Sequence, residues 1–300
     1  MHSRRDTIIM DLDNTLWDWV DFWYREFVIK LDGSKEATGL SDDRICAEIR
    51  EVHQARGTSE YSLLFEELPC LKKEFGSTEA IQKGMEATIK AFRRERKIAL
   101  KMYPGVGDFL HEMKAMGCTL VAFTESQSFY TFSRFRRLAL DGVIDILYTT
   151  EDEGSVDANI SDRRKYQSDY YKFKITEART TPKGEVKPTP HILLSIIEEV
   201  GSAPDDCIYI GDNLHKDIPM AKEAGVLDAY AAYGGAHHTA AYQWLRKVSH
   251  WPDVTVEKDK IAHEEKDEEP TIVLKNGIQD LKSFVELEGS FSRKYLAEDK

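Results

Sequence analysis

Cysteine is scarce and scattered. The 300 residues hold four, Cys46, Cys70, Cys118 and Cys207, and no two stand at metal-ligand spacing. That excludes a disulfide framework and a cysteine-built zinc site, and it fits reduced, mostly buried thiols in a cytoplasmic protein. Long apolar runs are missing as well. No stretch is long enough to span a bilayer, and the opening Met1-His2-Ser3-Arg4-Arg5-Asp6 has no apolar signal core. Basic charge is in deficit: 41 Lys and Arg face 53 Asp and Glu, a net charge of −12. A nucleic-acid or anionic-membrane partner needs basic surface, so neither is expected. A small phosphorylated metabolite stays open, because one cation and one lysine can make a local positive site in an acidic protein. What is present, 41% hydrophobic and 10% aromatic residues, is enough for a real core in one large domain or two modest ones.

The chain is organised around Thr7-Ile8-Ile9-Met10-Asp11-Leu12-Asp13-Asn14-Thr15-Leu16. Thr7 to Met10 is short, β-branched and apolar, as a buried strand should be. In a parallel α/β sheet, ligands gather beyond the carboxyl ends of the strands, so Asp11 is the first side chain to reach a site. Asp11 and Asp13 turn toward one small volume if the backbone bends between them. Two carboxylates that close repel unless a cation or shared proton relieves them. A hard divalent cation such as Mg²⁺ takes oxygen ligands and needs few protein groups. The same residues also read as a plain strand-to-helix turn, capped by Asn14 or Thr15.

From Trp17 to Lys101 no strand pattern occurs. Trp17 to Phe27 is helix-like and aromatic-rich, and Gly33 to Gly39 reads as a loop. Ser41 caps a second helix that fades at Gly57, a short helix stops at Pro69, and Ser77 opens a long one to about Leu100. Trp17, Trp19 and Trp23 could line a substrate pocket, but packing at a domain junction is the simpler reading. After Pro104-Gly105 the rhythm changes to helix, strand, helix, strand, which predicts a parallel sheet with crossovers. Strands are expected at Cys118–Phe123, Ile144–Tyr148, Cys207–Ile210, Leu227–Ala231 and Thr271–Leu274. Two stretches interrupt them. Thr149 to Glu185 is polar and aperiodic, readable as a flap, an oligomer contact or an exposed excursion. Glu257 to Glu269 is charged and reads as a surface loop.

Three strand ends now turn abruptly polar: Asp11 with Asp13, Thr124, and Asp212 with Asp217. Lys187-Pro188-Thr189-Pro190 opens a helix. One polar strand end is routine, whereas three plus a lysine make a site pattern. The set suits phosphoryl transfer: carboxylates with Mg²⁺ neutralise phosphate oxygens, a hydroxyl and a lysine hold others, and one carboxylate attacks.

These residues resemble the haloacid dehalogenase-like superfamily of phosphohydrolases, with all four of its motifs in order: Asp11-x-Asp13-x-Thr15, Thr124, Lys187-Pro188, and Gly211-Asp212 with Asp217. The resemblance implies a Rossmann-like parallel sheet core over residues 1–16 and 102–290, with insertions at about 151–185 and 236–269, and an all-helical cap domain over 17–101. It implies Asp11 as the nucleophile that forms an aspartyl-phosphate and Asp13 as general acid and base. Mg²⁺ would be held by Asp11, the Asp13 carbonyl and Asp212, with Asp217 ligating through water or orienting the lysine. Thr124 and Lys187 would bind phosphoryl oxygens, and Thr15, Glu125 and Ser126 would lie against the substrate. An acid at Asp13 favours a phosphatase or mutase over a dehalogenase. This chain departs from the pattern at Glu125, where phosphatases of the group often have asparagine. A carboxylate there needs a metal, a lysine or substrate hydroxyls facing it.

The leading expectation is a Mg²⁺-dependent phosphatase for a small phosphomonoester. A phosphomutase would keep the aspartyl-phosphate and exclude water. A binding protein on an enzyme fold would be favoured by loss of a motif, and none is lost. A receiver domain shares the Asp, Thr and Lys set but needs far less chain.

Overall fold

The computed structural model describes residues 6–150, 172–182, 184–262 and 269–287. Its centre is a seven-stranded sheet in the order β4-β3-β2-β1-β5-β6-β7, every neighbouring pair parallel. The strands are β1 (Thr7–Met10), β2 (Thr119–Gln127), β3 (Ile146–Thr150), β4 (Glu177–Thr180), β5 (Cys207–Gly211), β6 (Leu227–Tyr230) and β7 (Ile272–Val273). All four residues of β1 are buried, as a central strand covered on both faces requires. One face packs Ile8, Met10, Leu120, Phe109 and Leu110 into a core. The other packs Ile9, Val121, Tyr209, Leu193 and Ile196. Because β2, β1 and β5 are adjacent, the polar residues that end them are brought to one edge of the sheet.

Between β1 and α7 (Val106–Ala115) the chain makes six helices: α1 (Trp19–Thr38), α2 (Asp42–Arg56), α3 (Leu64–Glu67), α4 (Pro69–Phe75), α5 (Thr78–Gly84) and α6 (Glu86–Ala99). Two sequence expectations change here. The helix runs straight through Gly33, because α1 and α6 cross closely there: a Cβ on Gly33 would lie 2.4 Å from Thr88 Oγ1. The long helix from Ser77 is two, broken at Met85, and the C-terminal glycine of the first, Gly84, packs against the Phe75 ring. Trp17 belongs to the sheet's core and Trp23 to the helical one, while Trp19 packs against both, so the tryptophans do form a junction.

The helical core also takes in Ala236, Tyr242, Leu245 and Val248. The helix Ala240–Val248, inserted between β6 and β7, therefore packs on α1 and α2 rather than on the sheet. Of the charged run Glu257–Glu269 read as a loop, the part up to Ala262 belongs to a helix, Asp253–Ala262, and residues 263–268 lie outside the described residues. Most of the polar excursion after Thr150 lies outside the described residues. Its end forms β4, which carries the sheet to a further edge with the polar sequence Glu-Ala-Arg-Thr. All four cysteines are buried, and none is in a disulfide. Among the described residues, no helix is long and apolar enough to cross a membrane.

Candidate active site

Asp11 is the first residue past β1, and its N–H donates to the Ile210 carbonyl at 2.8 Å, which continues the sheet one step. Leu12 then turns inward and is fully buried, so the aspartates on either side of it face away from the core. Asn14 takes a left-handed conformation (φ 59°), which asparagine tolerates better than most residues. Its side chain accepts from the Val20 N–H at 3.2 Å, tying the bend to the start of α1. The loop is pressed from behind by Gly234, where a Cβ would sit 1.7 Å from the Asn14 carbonyl oxygen.

Lys187 Nζ lies 3.1 Å from Asp11 Oδ1 and 2.9 Å from Asp217 Oδ1. Carboxylate oxygens of Asp11, Asp212 and Asp217 lie within 4.8 Å of one another. The lysine is buried over the rings of Phe123 (4.9 Å) and Tyr209 (5.5 Å). Tyr209 donates its hydroxyl to Asp217 Oδ1 at 2.9 Å, and the Asn213 N–H donates to Asp217 Oδ2 at 3.0 Å. Asp217 is thus fully engaged with protein groups, and a side chain on Gly211 would strike its carboxyl group at 2.3 Å.

Burial pushes Asp11 up to about 7 against the pull of Lys187, with Asp217 and Asp13 adding repulsion. Burial, then Asp11 and Asp217, drives Asp212 well above the usual carboxylate range. Burial alone would lower Lys187, but Asp11 and Asp217 hold it well above its ordinary value. Three carboxylates face one ammonium, so ionising all three leaves a surplus of two negative charges. A hard divalent cation fits that donor set in charge and in ligand type.

Asp13 is held differently. Its Oδ1 accepts from Trp17 Nε1 at 2.7 Å. Its Oδ2 accepts from Ser126 Oγ at 2.6 Å and lies 3.4 Å from Arg134 Nη2. Arg134, on α8 (Ser128–Arg137), is itself bidentate to Glu60, at 2.7 and 2.8 Å. Thr124 is buried, and its Oγ1 accepts from the Ser126 N–H at 3.1 Å. Thr15 Oγ1 is buried and has no hydrogen-bond partner among the described residues. Glu125, the departure from the motif, faces lysines: Oε1 accepts from the Lys187 backbone N–H at 2.9 Å and Oε2 from Lys216 Nζ at 2.7 Å.

Asp11, Lys187, Asp212 and Asp217 thus form one cluster, and Asp13 and Ser126 a second beside it. The carboxylate of Glu125 and the hydroxyl of Ser126, both expected against substrate, are occupied by protein partners. Trp17, offered by the sequence only as a pocket or junction residue, holds Asp13 instead, and the sequence does not mark Glu60, Arg134, Tyr209 and Lys216 as site residues. Tyr209 carried a faint signal, a hydroxyl within an otherwise apolar strand next to Gly211-Asp212. The others depend on contacts between distant parts of the chain.

The chain is 21% identical over 226 residues to a glyceraldehyde 3-phosphate phosphatase of Methanopyrus kandleri, covering 73% of this chain and 81% of that one. It is 41% identical to a phosphoglycolate phosphatase of Xylella fastidiosa, over 54 residues that cover 18% of this chain and 23% of the relative. A 2-haloacid dehalogenase structure from Pseudomonas syringae superposes with a TM-score of 0.52 at 15% identity, covering 94% of this chain and 99% of that one, which is a likeness of fold. A second family profile, of hydrolases like these, matches residues 186–276. With the haloacid dehalogenase-like hydrolase profile matching residues 5–225, the chain belongs to that family of hydrolytic enzymes.

Proposed function

We propose that this protein is a Mg²⁺-dependent phosphatase acting on a small phosphomonoester through an aspartyl-phosphate on Asp11. The observation that carries the reading is the joint placement of Asp11, Lys187, Asp212 and Asp217 past the ends of adjacent parallel strands. The phosphatases named among its relatives support it. An Asp11 carboxylate oxygen attacks phosphorus as the bond to the leaving oxygen breaks, and Asp13 supplies the proton that oxygen takes up. Water then attacks the phosphoryl group on Asp11, Asp13 takes a proton from it, and inorganic phosphate leaves. Lys187 and the Thr124 hydroxyl bind phosphoryl oxygens. Mg²⁺, held by Asp11 and Asp212 with Asp217 behind them, would neutralise charge on those oxygens.

The helical insert over 17–101 acts in this reading as a cap that selects the leaving group, joined in that role by the helices of 240–262. It has a small cleft of its own, where the apolar Phe22, Trp23, Phe27 and Leu64 meet charged groups that include Glu26, Glu60 and Arg96. Glu26 there bridges Lys30 at 2.5 Å and Arg96 at 3.2 Å. The test is phosphate release from phosphorylated sugars, nucleotides and small acids, with Mg²⁺ and with a chelator. Turnover should need the metal and vanish in Asp11→Asn. Metal-independent turnover, or turnover that survives in Asp11→Asn, would sink the reading.

A further inference from the structure

We propose that Arg134 is a positioning residue for Asp13, and that Glu60 of the helical insert holds Arg134 in the place where it does this. The inference rests on the phosphatase reading above. Arg134 lies on a helix of the α/β body and is 3% exposed. Glu60 lies in the turn between α2 and α3 and its side chain is 8% exposed. One guanidinium nitrogen is held by both Glu60 oxygens, and another lies 3.4 Å from Asp13 Oδ2. The Arg–Asp distance is a charge contact rather than a tight hydrogen bond. The tight bonds to Asp13 come from Trp17 and Ser126.

Arginine is suited to this because its donors are fixed in one plane and can face two carboxylates at once. A lysine would have to bring one nitrogen to both, as Lys187 does to Asp11 and Asp217, and offers no plane to orient either. A buried guanidinium without Glu60 would turn its whole charge on Asp13, and one without Asp13 would settle on Glu60. The two carboxylates therefore fix Arg134 between them, and Arg134 adds a charged contact to the Asp13 oxygen that Ser126 already holds. Glu60 also walls the cleft of the insert.

A merely structural ion pair would slow every substrate alike. A link acting through Asp13 makes the loss depend on how much the leaving oxygen needs a proton. The experiment compares phenyl phosphate, whose leaving group needs protonation, with 4-nitrophenyl phosphate, whose leaving group needs it far less. The variants are Arg134→Lys and Glu60→Gln, with thermal melts to establish folding and with kcat and KM measured separately. In both variants kcat/KM, which reports the step in which the leaving group departs, should fall about tenfold further on phenyl phosphate than on 4-nitrophenyl phosphate. Equal losses of kcat/KM on the two substrates, or no loss, would overturn the proposal while leaving the phosphatase reading intact. A wild-type enzyme that turns over neither substrate with Mg²⁺ would overturn both.

Discussion

Arg50 Nη2 donates to the carbonyl of Trp251 at 3.0 Å, joining residues 201 positions apart in the chain. The same guanidinium reaches the carbonyls of Arg246 (3.1 Å) and Ser249 (3.4 Å) and the Asp253 carboxylate (2.6 Å). It therefore satisfies the end of helix Ala240–Val248, whose last carbonyls have no partner within the helix. His53 adds a 2.6 Å contact to the Val248 carbonyl. Truncation by Arg50→Ala leaves those carbonyls poorly satisfied and should cost about 2–4 kcal/mol in urea denaturation. Most of that should come from the carbonyls, since Asp253 is 96% exposed and its ion pair is screened. Arg50→Lys should recover only part, because an ammonium cannot copy the planar fork. A loss under about 0.5 kcal/mol in Arg50→Ala would mean that the apolar contacts of Tyr242, Leu245 and Val248 alone hold the segment.

Gly234→Ala tests whether the Asp13 loop is held from behind. The added methyl would sit 1.7 Å from the Asn14 carbonyl oxygen, which is backbone and cannot swing aside. The loop must shift, and Asp13 shifts with it. We expect kcat/KM to fall about tenfold or more, since small displacements of catalytic groups are costly. Mg²⁺ affinity should change less: the expected Asp13 carbonyl ligand moves, but Asp11, bonded to the Ile210 carbonyl, and Asp212, past β5, stay in place. A fall in both to the same extent would place the disturbance at Asp11 instead.

The site residues that were legible in the sequence are those that interrupt an apolar run. Asp11 and Asp212 each follow a buried strand and Thr124 ends the apolar part of β2, which runs on to Gln127, and a polar residue at such a place is visible without knowing what it faces. Lys187 was visible through the prolines that open its helix. The rest is hidden because it is made by contact between distant segments. Nothing local marks Arg134 as the partner of both Asp13 and Glu60, and it looks like one of three basic residues at a helix end. Helix Ala240–Val248 was legible as a helix, but not as a part of the insert's core. Gly33 misled because the cost of glycine inside a helix is offset by close packing on Thr88, which no propensity contains. β4 was missed because an edge strand of Glu-Ala-Arg-Thr has neither an apolar run nor a clean alternation.

Metal affinity should rise with pH. Asp11 titrates near 7 in the metal-free protein, so a proton competes with the cation below that pH. Apparent Mg²⁺ affinity, followed by calorimetry, should climb by about tenfold per unit or more as pH rises toward 7, since the raised Asp212 adds a second competing proton. The sign for stability follows from the same raised value. Between 3.8, the ordinary value, and about 7, the folded state keeps a proton that the unfolded chain releases. Asp11 therefore makes the metal-free protein less stable as pH rises through that window. Asp212, raised by burial, acts in the same direction. Burial lowers His53 to about 3 and His250 to about 4, and these act the other way. Their contribution cancels when melts with Mg²⁺ and with chelator are compared at each pH. The stabilisation by Mg²⁺ should grow from pH 5 to pH 7, and a gain that stays constant would contradict the shifted Asp11.

Glu125 separates two effects that its neighbours combine. Its Oε1 accepts from the Lys187 backbone N–H, and its Oε2 pairs with Lys216, whose side chain is 45% exposed. An ion pair that open to solvent contributes little, whereas the bond to Lys187 fixes the backbone that carries the buried ammonium. Glu125→Gln keeps an acceptor for the Lys187 N–H and gives up only the charge. Its kcat/KM should stay within about threefold of wild type. Glu125→Ala removes the acceptor, frees the Lys187 backbone, and should lower kcat/KM by about tenfold or more. Lys216→Met should resemble Glu125→Gln. If glutamine proved as harmful as alanine while Lys216→Met was silent, the carboxylate charge itself would be acting on the substrate. The negative group beside the phosphate would then be a selector for a cationic or hydroxyl-rich leaving group rather than a brace.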